Sequence, residues 1–294
     1  MVLTVCAPSG VKGTVAAPPS KSLAHRAVLC AALAAGPSQL ENLAFSQDIS
    51  ATLAAAGQLC AQVSTGPHSA QVEGLGHFRP LCEPVDCCES GSTLRFLIPL
   101  ASLSGQAVTF TGRGRLMERP QEPYIHLFRE KGISWNREGD TLTVLGQLKA
   151  GDYELPGNVS SQFFTGLLYA LPLVSGISRI VPTTHIEGRD YLAMTLDTLA
   201  GAGVTVTELH NTIKYFHITG KTAYKAMDYT VESDWSQAAF WYAANFLGGQ
   251  ITIQGLNPTS AQGDKAVASF YWKLARPGDV DLDVSQYPDL VPPL

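Results

Sequence analysis

The chain repeats itself at intervals of roughly 70 residues, and this property restricts its fold more than any other. Four segments open with a serine, continue as an apolar helical pattern and close on a glycine. They begin at Ser20, Ser90, Ser160 and Ser233. A repeat of this length is one supersecondary unit, which buries its apolar face against neighbouring copies. The sequence therefore predicts an architecture of stacked repeats.

Each repeat continues through the same succession of elements. A β-like run such as QAVTFTG follows the first helix, and a second helical pattern comes next. Two further strands end the unit, at Gly74, Gly146 and Gly220 in three of the repeats. Residues upstream, such as VLTVCAP or DYELPG, can supply a first strand. The unit is thus predicted as βαβαββ, in an α/β class with the helices on one side of a mixed sheet.

The repeats also predict two domains. Three units are expected to close one domain, residues 16–227, because the stretch 221–227 has no strong pattern of its own. Residues 1–15 and 228–294 are assigned to a second domain. It holds one unit and the start of another helix at Pro288, so it is predicted to be incomplete. Such a domain is expected to expose apolar surface, to be sensitive to proteases or to self-associate.

Charge and hydropathy disfavour several classes of function. A net charge of -5 and a pI near 5.8 argue against broad nucleic-acid affinity, which depends on clustered Lys and Arg. The longest wholly apolar run, 27–35, is too short to span a bilayer, and the first ten residues lack the pattern of a signal peptide. The sequence therefore predicts a cytoplasmic protein with neither a nucleic-acid nor a membrane partner.

The cysteines are assigned no chemistry. Their spacing, with the nearby histidines, does not make a zinc site, so no metal is predicted. Cys87 and Cys88 precede a Gly-Ser loop and leave two alternatives, a reactive pair or small half-buried structural thiols, of which the second is preferred. All six lie in the first 88 residues, at Cys6, Cys30, Cys60, Cys82, Cys87 and Cys88.

Candidate site residues cluster where polar loops enter the first helices of the repeats. A helix N-terminus offers free backbone N–H groups to an anion. In the first repeat Lys21, Ser22 and Arg26 combine a point charge, a hydroxyl and a bidentate fork, a set suited to phosphate and carboxylate. The alternative, a capping serine beside two solvated basic residues, stays open for this segment alone. The same pattern in other repeats favours an anion site.

The equivalent loops of the later repeats add further candidates. Gly91 would let a ligand approach the backbone closely, and the loop also carries a basic residue. In the third repeat, Ser160, Ser161 and Gln162 supply two hydroxyls and an amide, which suit a polyol or phosphate. Helix capping is again the alternative role for the serines. Asp289 follows Pro288 at a predicted helix start, where a carboxylate is either a favourable terminal charge or a general base. The other candidates in these loops are Arg95 and Arg119.

Five motifs together resemble the 5-enolpyruvylshikimate-3-phosphate synthase family of enolpyruvyl transferases. They are, in chain order, PPSKSLAHR, ESGSTLRFLIP, RLMERP, NVSSQF and DVSQYPDLVP, and the resemblance runs from residue 8 to the end. The resemblance implies two domains of the inverse α/β half-barrel kind, each of three βαβαββ units, with the active site in the cleft between them. Six units would need roughly 420 residues, so about two units are expected to be missing and the chain is expected to have little activity alone.

The resemblance also implies a reaction without metal or cofactor. In this family the 5-hydroxyl of shikimate 3-phosphate adds to C2 of phosphoenolpyruvate, and phosphate then leaves. Positioning and electrostatic stabilisation supply most of the rate. The carry-over assigns Asp289 as the base, with Lys21 sharing in proton transfer. It assigns shikimate 3-phosphate to Ser22, Arg26, Ser160, Ser161, Gln162 and Tyr191, and phosphoenolpyruvate to Lys21, Gly91, Arg119 and the loop that Arg95 shapes.

Two departures and two alternatives accompany this interpretation. Glu89 stands where many relatives have Asn, and Gly188 stands where a phosphate-binding Ser is common, which weakens the expected phosphate contacts. One alternative is the UDP-N-acetylglucosamine enolpyruvyl transferase family, which Lys21-Ser22 disfavours because that family has Lys-Asn there. The other is a truncated domain that binds shikimate 3-phosphate without turnover. The complete enzyme is expected to be monomeric.

Overall fold

The computed structural model of the chain describes residues 10–60, 62–210 and 214–294. The predicted strand at residues 2–8, with Cys6 in it, lies outside the described residues. The chain divides into two compact units. The larger unit is Lys21–Val231, and the smaller unit combines the described residues up to Ser20 with Glu232–Leu294.

The described residues contain the first and second helices of four repeats. In chain order they are α1 (Lys21–Leu33), α2 (Gln47–Leu59), α3 (Gly91–Ala101), α4 (Glu122–Glu130), α5 (Ser161–Ala170), α6 (Arg189–Gly201), α7 (Trp235–Phe246) and α8 (Val267–Leu274). Short 3-10 helices are Leu116–Glu118, Leu171–Leu173, Gly263–Ala266 and Pro288–Leu290.

The strands between these helices are short. In chain order they are β1 (Lys12–Ala16), β2 (Ala34–Glu41), β3 (Gln62–Thr65), β4 (Ser69–Leu75), β5 (Val85–Asp86), β6 (Val108–Thr111), β7 (Ser134–Glu138), β8 (Thr141–Leu145), β9 (Asp152–Leu155), β10 (Ile177–Pro182), β11 (Val206–His210), β12 (Lys214–Thr219), β13 (Tyr224–Lys225), β14 (Asp228–Thr230) and β15 (Gln250–Gln254).

The first helices of the larger unit are buried because their sequences have almost no polar face. In α1 every residue from Leu23 to Leu33 is buried, as expected for a helix that is apolar on all sides. Serine N-caps begin α3 and α5: Ser90 Oγ accepts from the Thr93 N–H at 3.1 Å and Ser160 Oγ from the Gln162 N–H at 3.3 Å. These caps place the N-termini of α3 and α5 in the polar loops that carry the candidate residues.

Three sheets of the larger unit share one topology. In β5-β6-β8-β7 and in β9-β10-β12-β11, the first pair of strands is parallel and the other two pairs are antiparallel. The third sheet follows the same order, with β13 and β14 parallel to β2, then β4 and β3. Each repeat of the larger unit is therefore one βαβαββ unit, and the predicted mixed α/β repeat architecture is observed there.

The first strand of a repeat does not always come from the residues just before it. In the first repeat, β2 pairs with β13 and β14, which follow the third repeat. In the smaller unit, β15 pairs in parallel with β1 from the beginning of the chain. Because β14 belongs to a sheet of the larger unit, the division lies after Val231, four residues beyond the predicted 227, and residues 16–20 belong to the smaller unit.

The smaller unit has a core of its own. Trp235 on α7, Val267 and Phe270 on α8, and Leu290 on the last 3-10 helix are buried against one another. The N-cap of α7 is Asp234, whose carboxylate accepts from the Gln237 N–H at 2.9 Å, so the cap is one residue after the predicted Ser233. Large apolar side chains remain exposed on the same unit, at Phe240, Phe246, Leu247, Trp272 and Val291.

Candidate functional site

The candidate residues of the larger unit meet where its helices begin. Gln162, in the first turn of α5, donates from Nε2 to Ser92 Oγ in the first turn of α3 at 3.0 Å. The N-termini of two repeats are therefore neighbours. Ser92 lies within the motif that singled out Gly91, but its hydrogen bond to another repeat was not predicted. A non-local contact of this kind leaves no signal in the local pattern.

Gly91 lies beside the side chains of Arg119 and Gln162. A Cβ atom built on it would be 2.9 Å from Arg119 Nη1 and 3.6 Å from Gln162 Oε1. Arg119 follows the 3-10 helix Leu116–Glu118 and is exposed. The structure thus brings together three candidates from three separate motifs. Any side chain at position 91 would displace the Arg119 guanidinium.

Arg95 joins the motifs around Gly91. Its Nη1 donates to Gln162 Oε1 at 2.9 Å and its Nη2 to the Pro120 carbonyl at 2.8 Å. Its Nε donates to Gln121 Oε1 at 3.4 Å, a contact that sequence reasoning missed. The guanidinium also lies over the Phe163 ring, 4.6 Å from its centroid, and burial lowers the pKa of Arg95. These bonds connect α3, α5 and the loop that ends in Arg119 and Pro120.

Lys21 begins α1 and forms an ion pair on the surface. Its Nζ lies 2.8 Å from Asp48 Oδ2, and the two side chains are 55% and 25% exposed. Asp48 is in the first turn of α2 and was not among the candidates. An ion pair this open to solvent contributes little to folding, so Lys21 is available for exchange onto an anionic ligand.

Arg26 is only 2% exposed and connects α1 with α6. Its Nη1 donates to the Ser22 carbonyl at 2.7 Å and its Nη2 to the Tyr191 carbonyl at 2.9 Å. Its Nε donates to Thr195 Oγ1 at 2.9 Å, a partner that the motifs did not indicate. Burial lowers the pKa of Arg26. The alternative of a solvated basic residue does not apply to Arg26, although it fits Lys21.

The remaining candidates of the larger unit lie at the starts of α5 and α6. Ser160 caps α5, so the capping role considered for it is present, and Ser161 is nearly buried. A Cβ built on Gly188, which has φ of 64° and caps α6, would lie 3.8 Å from Ser161 Oγ and 3.3 Å from Tyr191 Cδ2. A serine at position 188 would therefore face Ser161 and Tyr191, but it would adopt a left-handed conformation.

Guanidinium groups dominate this region of the larger unit. Arg26, Arg95 and Arg119 form no ion pair with a carboxylate among the described residues. Burying a cation is costly unless it is hydrogen-bonded or paired with an anion. Arg26 and Arg95 have hydrogen bonds to neutral acceptors instead. The three guanidinium groups thus keep charge that no ion pair offsets within the described residues, and such groups favour an anionic ligand.

Asp289 is in the other unit. It lies in the 3-10 helix Pro288–Leu290 and is exposed, while the neighbouring Leu290 is buried in the core of that unit. The helix predicted at Pro288 is thus a single 3-10 turn. The other ten candidates all lie in Lys21–Val231.

The cysteines in the described part of the chain are free thiols. Burial raises the pKa of Cys30 and of Cys87, which holds both as protonated thiols. Cys88 is half-buried with a pKa that is also raised, by burial first and then by Asp86. A raised thiol pKa favours the structural alternative for the adjacent pair over a reactive one.

No group of three or more His, Cys, Asp and Glu side chains is arranged to hold a metal ion among residues 10–60, 62–210 and 214–294. In the same part of the chain, every helix falls short of the length and apolar content required to cross a bilayer.

Known proteins resemble this chain in both sequence and structure. The family model described as EPSP synthase (3-phosphoshikimate 1-carboxyvinyltransferase) matches residues 5–279. The 3-phosphoshikimate 1-carboxyvinyltransferase of Clostridium kluyveri is 41% identical over 98% of this chain and 71% of its own length. The protein of the same name from Clostridium perfringens is 38% identical over 100% of this chain and 73% of its own.

The solved structures give the same result for the fold. An EPSP synthase from Acinetobacter baumannii superposes with a TM-score of 0.71 at 25% identity, over 88% of this chain and 59% of that protein. The chain thus spans less than two thirds of that solved structure. The predicted α/β fold of enolpyruvyl transferases is confirmed by this likeness. With a family match over most of its length, the chain belongs to the EPSP synthase family of carboxyvinyl transferases.

Proposed function

We propose that this protein transfers the carboxyvinyl group of phosphoenolpyruvate to the 5-hydroxyl of shikimate 3-phosphate, a step in making chorismate and the aromatic amino acids. The observation that carries the proposal is that Arg26 on α1, Arg95 on α3 and Arg119 beside Gly91 have no ion pair with a carboxylate among the described residues. Both substrates are phosphorylated and carry a carboxylate, so they match the charge and the geometry that guanidinium groups recognise.

Shikimate 3-phosphate is assigned to the region where α1, α5 and α6 begin. Ser22, Arg26, Ser160, Ser161, Gln162 and Tyr191 are its proposed ligands. Two contacts support this grouping, the bond from Arg26 Nη2 to the Tyr191 carbonyl and the proximity of position 188 to both Ser161 and Tyr191. Hydroxyl and amide groups suit the ring hydroxyls of a polyol, while a buried guanidinium suits its anionic groups.

Phosphoenolpyruvate is assigned to Lys21, Gly91 and Arg119. Arg119 is exposed and lies against Gly91, whose lack of a side chain opens the N-terminus of α3 to an anion. Gln162 connects this group with Ser161, its neighbour in the chain, so one side chain can contact both substrates. Arg95 shapes the loop through its bonds to Gln162 and Pro120.

The reaction is an addition followed by an elimination. The 5-hydroxyl oxygen bonds to C2 of phosphoenolpyruvate while its proton passes to Asp289, and C3 accepts a proton from Lys21. The tetrahedral intermediate then loses phosphate from C2 and returns a proton from C3 to Lys21, which restores the double bond. The proton on Asp289 leaves with the phosphate. Lys21 neutralises the leaving phosphate and takes part in the proton transfers. Fixed cations that meet developing negative charge supply most of the rate acceleration, together with the orientation of the two substrates.

Calorimetry and a phosphate-release assay together test this proposal. We expect heat on titration with shikimate 3-phosphate. Any inorganic phosphate should appear only when both substrates are present, at the low rate expected for this chain alone. Heat without phosphate release supports the second candidate, a module that binds shikimate 3-phosphate, which the location of ten of eleven candidates in one unit favours. No heat with either substrate would show that the assigned substrates are wrong.

The proposal extends to location and assembly. We place the reaction in the cytoplasm, and the complete enzyme acts as a monomer on its two small-molecule substrates, without a cofactor. Cell fractionation tests the first statement, and light scattering on the purified protein tests the second. UDP-N-acetylglucosamine as an alternative acceptor is tested in the same phosphate-release assay, where we expect no product.

A further inference from the structure

A chain of buried hydrogen bonds joins the first three helices of the larger unit. His25 Nδ1 on α1 lies 2.7 Å from Thr52 Oγ1 on α2, and Thr52 Oγ1 lies 2.7 Å from Thr93 Oγ1 on α3. Thr93 Oγ1 lies 2.7 Å from Ser90 Oγ. His25, Thr52, Thr93 and Ser90 are each at most 1% exposed. None of these four residues has a role in the proposed function.

The protons of this chain can be assigned from the number of donors available. Thr52 has one hydroxyl proton, which the Asp48 carbonyl at 3.2 Å or the Thr93 oxygen can accept. In both arrangements the proton between Thr52 and His25 comes from Nδ1. The opposite tautomer would place a proton on His25 Nε2, which is buried and has no hydrogen-bond partner among the described residues. A buried N–H without an acceptor is costly, so Nδ1 carries the proton.

The neutral form of His25 is the one that its surroundings favour. Burial is the main cause that lowers its pKa to about 3, and Lys21 and Arg26 act in the same direction, whereas Asp48 opposes them. The Phe96 ring packs edge-on against the imidazole, with 6.5 Å between centroids. A neutral imidazole with a fixed tautomer is a directional donor, and it imposes one orientation on the Thr52 hydroxyl.

Both ends of the chain reach groups assigned to phosphoenolpyruvate. At one end, Ser90 Oγ caps α3 by accepting from the Thr93 N–H, and Gly91 is the next residue. At the other end, Thr52 Oγ1 lies 3.2 Å from the carbonyl of Asp48, whose carboxylate pairs with Lys21. His25 is itself four residues after Lys21 and therefore on the same face of α1. A change in this chain of hydrogen bonds is expected to move Gly91 relative to Lys21.

We propose that His25 is a positioning residue, which through Thr52 and Thr93 sets the distance between Gly91 and Lys21 and so determines the affinity for phosphoenolpyruvate. The assignment of that ligand rests on the proposed function. Apolar packing alone would hold three helices together at least as well as buried polar groups do. A directional chain instead selects one register of α1, α2 and α3, because only that register satisfies every member.

The first measurement is made on the unmodified protein and does not depend on activity. Long-range ¹H–¹⁵N spectra of the histidine rings distinguish the two tautomers and the cation. We expect His25 to show a protonated Nδ1 and an unprotonated Nε2 at pH 7. A proton on Nε2 at pH 7 would overturn the proposal, because the donor direction would be reversed.

The second measurement compares variants by calorimetry. In His25→Leu and in Thr52→Val, which replaces a hydroxyl by a methyl of similar volume, we expect phosphoenolpyruvate affinity in the presence of shikimate 3-phosphate to fall about tenfold. The affinity for shikimate 3-phosphate alone should change less than about twofold, a split that general unfolding does not produce. In His25→Asn, whose amide can donate from near the Nδ1 position, we expect affinity within about threefold of the wild type.

Thr198→Val is the matched control. Thr198 is also buried, and within the described part of the chain its hydroxyl bonds only inside α6, to the Met194 carbonyl at 2.8 Å. We expect it to keep wild-type affinity for both ligands. If it loses phosphoenolpyruvate affinity as Thr52→Val does, or if Thr52→Val loses none, the positioning role is wrong.

The Gly91 amide separates this proposal from the proposed function. In Thr52→Val we expect the Gly91 N–H signal to shift without any ligand, while in Thr198→Val it stays in place. A wild-type protein that does not bind phosphoenolpyruvate would contradict the assigned substrate, yet the Gly91 shift would still support the structural chain. An unmoved Gly91 signal in Thr52→Val would show that this chain of hydrogen bonds does not position Gly91.

Discussion

The two units hold their candidate residues in different ways. In the larger unit, Arg95 has hydrogen bonds to three acceptors and Arg26 is buried with three of its own. In the smaller unit, Asp289 is exposed on a single 3-10 turn that is anchored by the buried Leu290. Guanidinium groups held by several hydrogen bonds suit the binding of an anionic substrate. A carboxylate that is exposed to solvent can accept a proton from a bound substrate. We expect the affinity for shikimate 3-phosphate to depend on the larger unit and turnover to depend on Asp289.

The strongest test of this comparison is Asp289→Ala. Removing a general base usually lowers turnover by a factor of about 10² to 10⁴, and we expect a loss in this range. Because the larger unit is unchanged, the affinity for shikimate 3-phosphate should stay within about twofold. Phosphate release measures the first effect and calorimetry the second. Unchanged turnover would show that the base is another residue.

Arg26→Met tests the larger unit. Methionine keeps much of the buried volume but removes the charge and the three hydrogen bonds that Arg26 donates, so shikimate 3-phosphate should bind more weakly by about 1.5 to 3 kcal/mol. The Ser22 and Tyr191 carbonyls also lose a partner, and we expect a lower unfolding midpoint in urea. Retained affinity in a folded variant would limit Arg26 to a structural role.

The buried His25 predicts a pH dependence of stability. Its pKa is about 3 in the folded chain and about 6.5 when unfolded, so the unfolded state binds more protons between these values. Its contribution is therefore complete above about pH 6.5 and is lost as the pH falls towards 3. From pH 7 to pH 5 this costs about 2 kcal/mol. Urea unfolding of His25→Asn should lack this part of the slope, and an identical slope would contradict the prediction.

Asp48→Asn should have the smallest effect. It removes the ion pair with Lys21, which is exposed to solvent, and we expect the free energy of unfolding to change by less than about 1 kcal/mol. The asparagine keeps the backbone carbonyl that Thr52 contacts. A loss above about 2 kcal/mol would mean that the surface of the larger unit is as tightly coupled as its interior.

Local signals predicted most of the secondary structure and several site residues. Ser90 and Ser160 were correctly identified as helix starts, since a cap depends on residues within one turn. Gly91 was identified as a position where a ligand can approach the backbone, and the structure places the Arg119 guanidinium beside it. The roles of these residues in binding stay predictions. Ser92, Gln121 and Thr195 were missed because each bonds to a residue at least 26 positions away.

The amino-acid sequence by itself determined the repeats, the order of helices and strands within them, and the loops in which charged residues collect. These follow from apolar periodicity, capping residues and glycines, all of which act over a few residues. Only the tertiary structure decided that β13 and β14 complete the sheet of β2, and that β1 pairs with β15. It also decided that Arg26 is buried while Lys21 is exposed. Strand partners and burial depend on contacts between distant segments, which a local pattern does not specify.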